Sequence, residues 1–140
     1  MKMAYRQRKT GRKGQAMTEL ALVLPVLLLL VMSIIQFGLI LKSYIAVVNG
    51  ARLGARTAAV GKTNAQITSK VRESLPALDK NMLAIAISPS DEAARTSGTD
   101  VTISVSYQEN IIVPLFNLLI PDPVPIKAQS IMRMEKPVSE

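Results

Sequence analysis

Gly14 and, five residues later, Glu19 stand where two opposite chemistries meet. Before Gly14 lie Lys2, Arg6, Arg8, Lys9, Arg12 and Lys13, with no acid among them; after Glu19 the run from Leu20 to Leu41 carries no charge. Glu19 is thus a single carboxylate at the mouth of an apolar run long enough to cross a bilayer, a place where an acid is costly without a purpose. Other site chemistry is sparse. The chain has no Cys and no His, which excludes disulfides, thiol nucleophiles, zinc sites on those ligands and histidine acid–base catalysis. The remaining acids are scattered, and none pairs with a second catalytic group in a recognisable arrangement. The expectation is a protein without enzymatic activity, cofactor or metal site.

The formal charge of +7 could suggest nucleic acid, but it is unevenly placed. The leader holds six of the 17 basic residues and none of the ten acids, so the chain after Gly14 is close to neutral. That removes the electrostatic argument for a nucleic-acid partner. With three Tyr, two Phe and no Trp, stacking platforms for bases are also poorly supplied. A length of 140 residues allows one small domain plus an anchor.

The element that must position Glu19 is the apolar run itself. Leu20 to Leu41, as a helix, is roughly 33 Å long, against a hydrocarbon core of about 30 Å. Leu20 to Gln36, with only Ser33 and Gln36 polar, would already suffice. A domain this small cannot surround such a helix on all sides. A cleavable signal peptide has an apolar region of about 7 to 15 residues and an A-x-A-like site; here Ser43-Tyr44-Ile45-Ala46 puts Tyr where a small residue is needed. The span is therefore expected to stay attached to the domain that follows. The basic leader, against Lys42 alone just after the span, places the N-terminus in the cytoplasm and the C-terminal domain outside it. Pro25 removes one backbone donor and crowds the carbonyl of Ala21, so a local kink is expected.

Gly-x-x-x-x-Glu ahead of a hydrophobic helix resembles the processing site of type IV prepilins and pseudopilins. With GQAMTELALVLPVLLLL at 14–30, NGARLGARTAA at 49–59 and the tail from Val101 to Met134, the chain resembles the TadE-like minor pseudopilins of tight-adherence (Tad/Flp) pilus systems. The resemblance implies that prepilin peptidase cuts after Gly14 and leaves Gln15 as the new N-terminus. Glycine suits such a cut because it allows an extended, unhindered backbone. The resemblance also implies that the Glu19 carboxylate pairs with a freed N-terminal amine during assembly, an attraction much stronger in low dielectric than in water. Glu19 is expected in the first helical turn, where the helix dipole favours a carboxylate by a few tenths to about 1 kcal/mol. The chain departs from the family pattern at Gln15, where many pilins carry Phe. It departs again at Leu20, where the short major pilins carry Tyr. Leu20, and a domain far longer than the major pilins have, both indicate a minor component.

Beyond Lys42 the helix is expected to continue to about Ala59. Ala46, Gly50, Gly54 and Ala58 recur every four residues and line one face. Small residues at that spacing admit another backbone, either of another subunit or of the chain's own domain. Arg52 and Arg56 lie on a roughly opposite face. Gly61-Lys62 ends the helix, and Thr63-Asn64-Ala65-Gln66 reads as a capping box opening a short second helix. Its stripe is Ile67, Val71, Ser74, Leu75 and Leu78, and Pro76 interrupts or ends it. Met82–Ser88, Val101–Tyr107 and Ile126–Met134 read as strands. The polar stretch 88–99 is an exposed connection in which Asp91-Glu92 meets solvent, and apolar 111–120 is either a docking loop or a short core-completing helix.

The fold class is thus α+β, pilin-like: a leader at 1–14, a transmembrane helix and its extension at 15–60, and an exported domain at 61–140 with about three antiparallel strands. The resemblance implies a role in Tad pilus assembly or initiation that supports adherence. The partners it implies are prepilin peptidase, other pilins or pseudopilins, the inner-membrane assembly platform and the lipid bilayer. The rival is an unprocessed single-span anchor carrying a cell-envelope binding module.

Overall fold

The computed structural model describes residues 11–113 and 122–138, with side chains from Gly14 onward. It divides into two units, Met1–Ile35 and Gln36–Glu140. The stretch 114–120, where the sequence left a choice between docking loop and short helix, lies outside the described residues. Helix α1 (Gly11–Ala59) supplies all the described structure of the first unit and the opening segment of the second.

α1 begins earlier than expected. Lys and Arg are good helix formers, and the helix already includes Arg12 and Lys13. Glu19 is therefore not in the first turn, which holds no acid. It stands more than two turns in, beyond the reach of the terminal partial charge. The helix continues through Pro25. In the first unit its surface is almost wholly exposed, with Leu20, Leu22, Leu24, Val26, Leu27 and Leu28 all uncovered. It is long and apolar enough to cross a membrane. Soluble proteins do not leave so large a contiguous apolar surface to water, and the chain fits a protein that crosses a membrane once.

In the second unit the same helix becomes part of a core. Val47, Ala51, Ala55 and Ala58 are buried and pack with Ile67, Val71, Leu75, Val101, Ile103 and Val105. Ahead of Ala46, the same helix adds the buried Gln36 and Ser43 and the partly buried Ile40, which packs against that core. α1 stops at Gly61, whose φ of +84° is the left-handed conformation that glycine adopts without strain. The tail completes the stop: the amides of Glu135 and Lys136 both donate to the Ala59 carbonyl, at 2.8 and 3.3 Å.

α2 (Asn64–Ser74) opens on the capping box, with Thr63 and Gln66 each satisfying the other's backbone amide. Its buried residues are Ile67 and Val71, and Leu75 and Leu78 continue the stripe past its end. After one turn of 3-10 helix at Lys80–Met82, three strands form an antiparallel sheet in the order β1 (Leu83–Ser88), β2 (Asp100–Glu109), β3 (Val124–Arg133). Register pairs Ile87 with Ile103, Ile85 with Val105 and Tyr107 with Ile126, so the apolar sets share one face. That alternation is cleanest in β2, where Val101, Ile103, Val105 and Tyr107 are buried and the residues between them are not.

Candidate functional site

Gly14 and Gln15 are exposed and lie inside α1. Nothing comes within 4 Å of where a Gly14 side chain would begin, so this side of the backbone is open. The Thr18 hydroxyl donates to the Gly14 carbonyl at 2.9 Å. One turn on, Ala16, Glu19, Leu20 and Val23 border a shallow depression of about 300 Å³ on the helix surface. These positions repeat as i, i+3, i+4 and i+7, the spacing of a single helix face. Among residues with described side chains, Glu19 has no ion-pair partner. The site is thus a carboxylate on an otherwise small and aliphatic face, beside an accessible glycine.

The small-residue face lies far along the same helix. Ala46 is half-buried, and Gly50, Gly54 and Ala58 are buried. At Gly54 a Cβ would stand 2.9 Å from Cγ2 of both Val71 and Ile103; at Gly50 it would stand 3.0 Å from Cδ1 of Leu75. The bodies that approach these glycines are α2, the residue after it and β2 of the same chain. Arg52 and Arg56 are exposed.

Residues 14–56 match the family model described as TadE-like protein. That segment is similar to the TadE-like family. The TadE-like segment opens at Gly14, takes in Glu19 and the whole apolar run, and reaches Gly50 and Gly54. It closes before α2 and the sheet, so the membrane helix and its extension carry the family's pattern. No curated protein and no solved structure matches the chain.

Two residues that sequence reasoning did not single out as sites organise the second unit. Gln36 is 2 % exposed, although it sits in a helix whose neighbours Ile35 and Phe37 are open. Its carboxamide donates to the Asn110 carbonyl at 3.3 Å and accepts from the Ile112 amide at 2.8 Å. It thereby satisfies backbone groups just past the end of β2, which would otherwise be left unpaired. Asp122 accepts from the Ile111 amide between them. A polar residue late in an apolar run was the only signal, and its partners lie 74 and 76 residues away.

The connection at 88–99 is mostly exposed, as expected, and its one buried residue is Arg95. Its side chain is fully buried; Nη2 donates to Asn64 Oδ1 at 2.7 Å and lies 3.5 Å from Glu92 Oε1. The same Glu92 oxygen accepts from the Asn64 backbone amide at 2.5 Å. Glu92, whose side chain is still 38 % exposed, therefore also ties the connection to the start of α2. Truncating the buried arginine leaves a cavity and takes the donor from Asn64 Oδ1. Arg95→Ala is expected to lower unfolding free energy by about 3 kcal/mol. Thermal unfolding of the detergent-solubilised chain, compared with Arg133→Ala at an exposed pair, checks the figure.

Proposed function

We propose that this chain is a minor pseudopilin of a Tad-type pilus system, matured by prepilin peptidase between Gly14 and Gln15. It would act by helix packing in pilus assembly or initiation and so support adherence, without catalysis of its own. The observation that carries the reading is the start of the TadE-like match at Gly14, in α1 just ahead of its uncovered apolar stretch. A basic leader removed at that glycine leaves a nearly neutral chain whose span remains joined to its domain's core.

In this reading the apolar helix holds the precursor in the inner membrane, with its N-terminus in the cytoplasm and its sheet-bearing unit outside. The same helix then packs against other pilins or pseudopilins at the assembly platform. Glu19 is the assembly residue, paired with an amine that exists only after the cut. Gly50 and Gly54, already approached by Leu75, Val71 and Ile103, serve first to join α1 to its own domain. Ala46, which is half-buried, keeps part of the small face open to a neighbour.

The deciding experiment is N-terminal sequencing and intact mass of the protein from cells with and without prepilin peptidase. Loss of residues 1–14 only in peptidase-positive cells is expected. A chain still beginning near Met1 in those cells would sink the reading and leave the unprocessed anchor in its place.

A further inference from the structure

We propose that Thr18 is a positioning residue for leader removal: its hydroxyl latches the Gly14 carbonyl and slows the cut. The proposal rests on the reading that the peptide bond between Gly14 and Gln15 is the one hydrolysed. In that step water adds to the Gly14 carbonyl carbon and the C–N bond breaks. Gly14 leaves as a carboxylate and Gln15 keeps the nitrogen as a new amine.

The scissile carbonyl lies inside α1, so it accepts the Thr18 amide as an ordinary helical bond. It also accepts the Thr18 hydroxyl at 2.9 Å. A carbonyl oxygen has two lone pairs, and here one residue engages both. Hydrolysis needs that oxygen free, because negative charge develops on it and must be met by donors of the peptidase. Steric access is not the obstacle, since nothing lies within 4 Å on the open side of Gly14. The obstacle is hydrogen bonding. Glycine loosens this turn, being a poor residue for a helix interior, and the hydroxyl of Thr18 works against that loosening. Ser33 and Thr57 bond back to Leu29 and Leu53 in the same way, but only Thr18 does so at the bond to be cut.

Thr18→Val removes the hydroxyl while keeping the branched shape and a similar helix propensity; Thr18→Ser keeps the hydroxyl. The full chain in detergent is incubated with purified prepilin peptidase, and kcat and KM for loss of the leader are measured separately. Thr18→Val is expected to raise kcat about twofold to tenfold, the range of one net hydrogen bond, with KM unchanged. Thr18→Ser is expected to return the rate to that of the parent.

A second measurement needs no peptidase. Gly14-Gln15 is the only Gly-Gln pair in the chain, so labelling Gly carbonyls with ¹³C and Gln amides with ¹⁵N leaves one carbonyl–amide NMR correlation, from the scissile bond. Its carbonyl shift should move upfield in Thr18→Val and stay in place in Thr18→Ser. An unmoved shift in Thr18→Val, or an unchanged or slower cut, overturns the latch while leaving Gly14 as the processing site. If the parent chain is not cut at all, the processing site is wrong and the latch falls with it.

Discussion

Gly54→Val destabilises the sheet-bearing unit by about 3 kcal/mol, the upper part of the range for overpacking a filled core, whereas Gly50→Ala leaves its stability unchanged or raises it. Both glycines are buried on one face of α1 and look equivalent in the sequence. Their neighbours differ. A Cβ at position 54 meets Cγ2 of Val71 and Cγ2 of Ile103, each at 2.9 Å. Both are β-branched residues with restricted χ1, both are fully buried, and they close in from α2 and β2. Neither methyl can swing aside without moving its element, and valine would add two further carbons to the same space. At position 50 the nearest atom is the far end of Leu75, at 3.0 Å. A leucine terminus can shift by a few tenths of an ångström, and the gain in helix propensity from Gly to Ala, about 1 kcal/mol, then decides the sign.

Thermal or denaturant unfolding of the two variants in the same detergent measures the difference. Val71→Ala should cost less in the Gly54→Val background than in the parent, because it removes the Val71 Cγ2 that crowds position 54. Equal effects at the two positions would mean that the approach of α2 and β2 to Gly54 is looser than 2.9 Å implies. If Gly54→Val instead keeps full stability and blocks pilus assembly, the small face is turned toward another subunit.

The contrast between those glycines marks the limit of what a sequence can carry. Every feature governed by local periodicity was legible. β2 alternates because one face is buried, and the reciprocal hydrogen bonds of Thr63 and Gln66 need only four residues to form. The end of α1 near Ala59 was legible because Gly61 can take a positive φ. β3 was read from Ile126, but it starts at Val124. Pro125 lies within it, and β3 is an edge strand of the described sheet, the place in a sheet where a proline is tolerated.

What stayed hidden depends on partners distant in the chain. Arg95 reads as one more charge in a polar loop until Asn64, 31 residues earlier, is brought to its guanidinium. Gln36 reads as a blemish in an apolar run until the end of β2 arrives beside it. Part of the candidate site was the reverse case. Gly14 and Glu19 could be picked out because a charge boundary is a one-dimensional signal. The sequence placed Glu19 in a first turn, whereas the helix already runs from Gly11.

That displacement strengthens the last expected result: Glu19→Ala inserts into the membrane and loses its leader normally, yet falls to about a hundredth of the parent level in the assembled pilus fraction. In the uncleaved chain Glu19 is well inside α1, too far from the helix start for the dipole to matter. Cleavage after Gly14 would remove the preceding turn and leave Gln15, four residues before Glu19, as the new terminus. The cut thus supplies the positive charge and clears the chain in front of the carboxylate at once. Breaking a charged pair in a desolvated setting costs about 3 to 5 kcal/mol, which makes a hundredfold loss the lower end of the expected range. Ala16 beside Glu19 leaves room for an approaching chain. Glu19→Gln, which keeps the shape without the charge, should fail as Ala does, and Glu19→Asp should recover part of the signal. The sharpest check is non-additivity. In cells lacking the peptidase no amine is freed, so Glu19→Ala should cause no further loss beyond that of the retained leader. Quantitative immunoblots of membrane and sheared pilus fractions, in both backgrounds, read all four chains. Normal incorporation of Glu19→Ala in peptidase-positive cells would remove the carboxylate–amine pair from the assembly step and leave Glu19 as an interfacial acid with no role in packing.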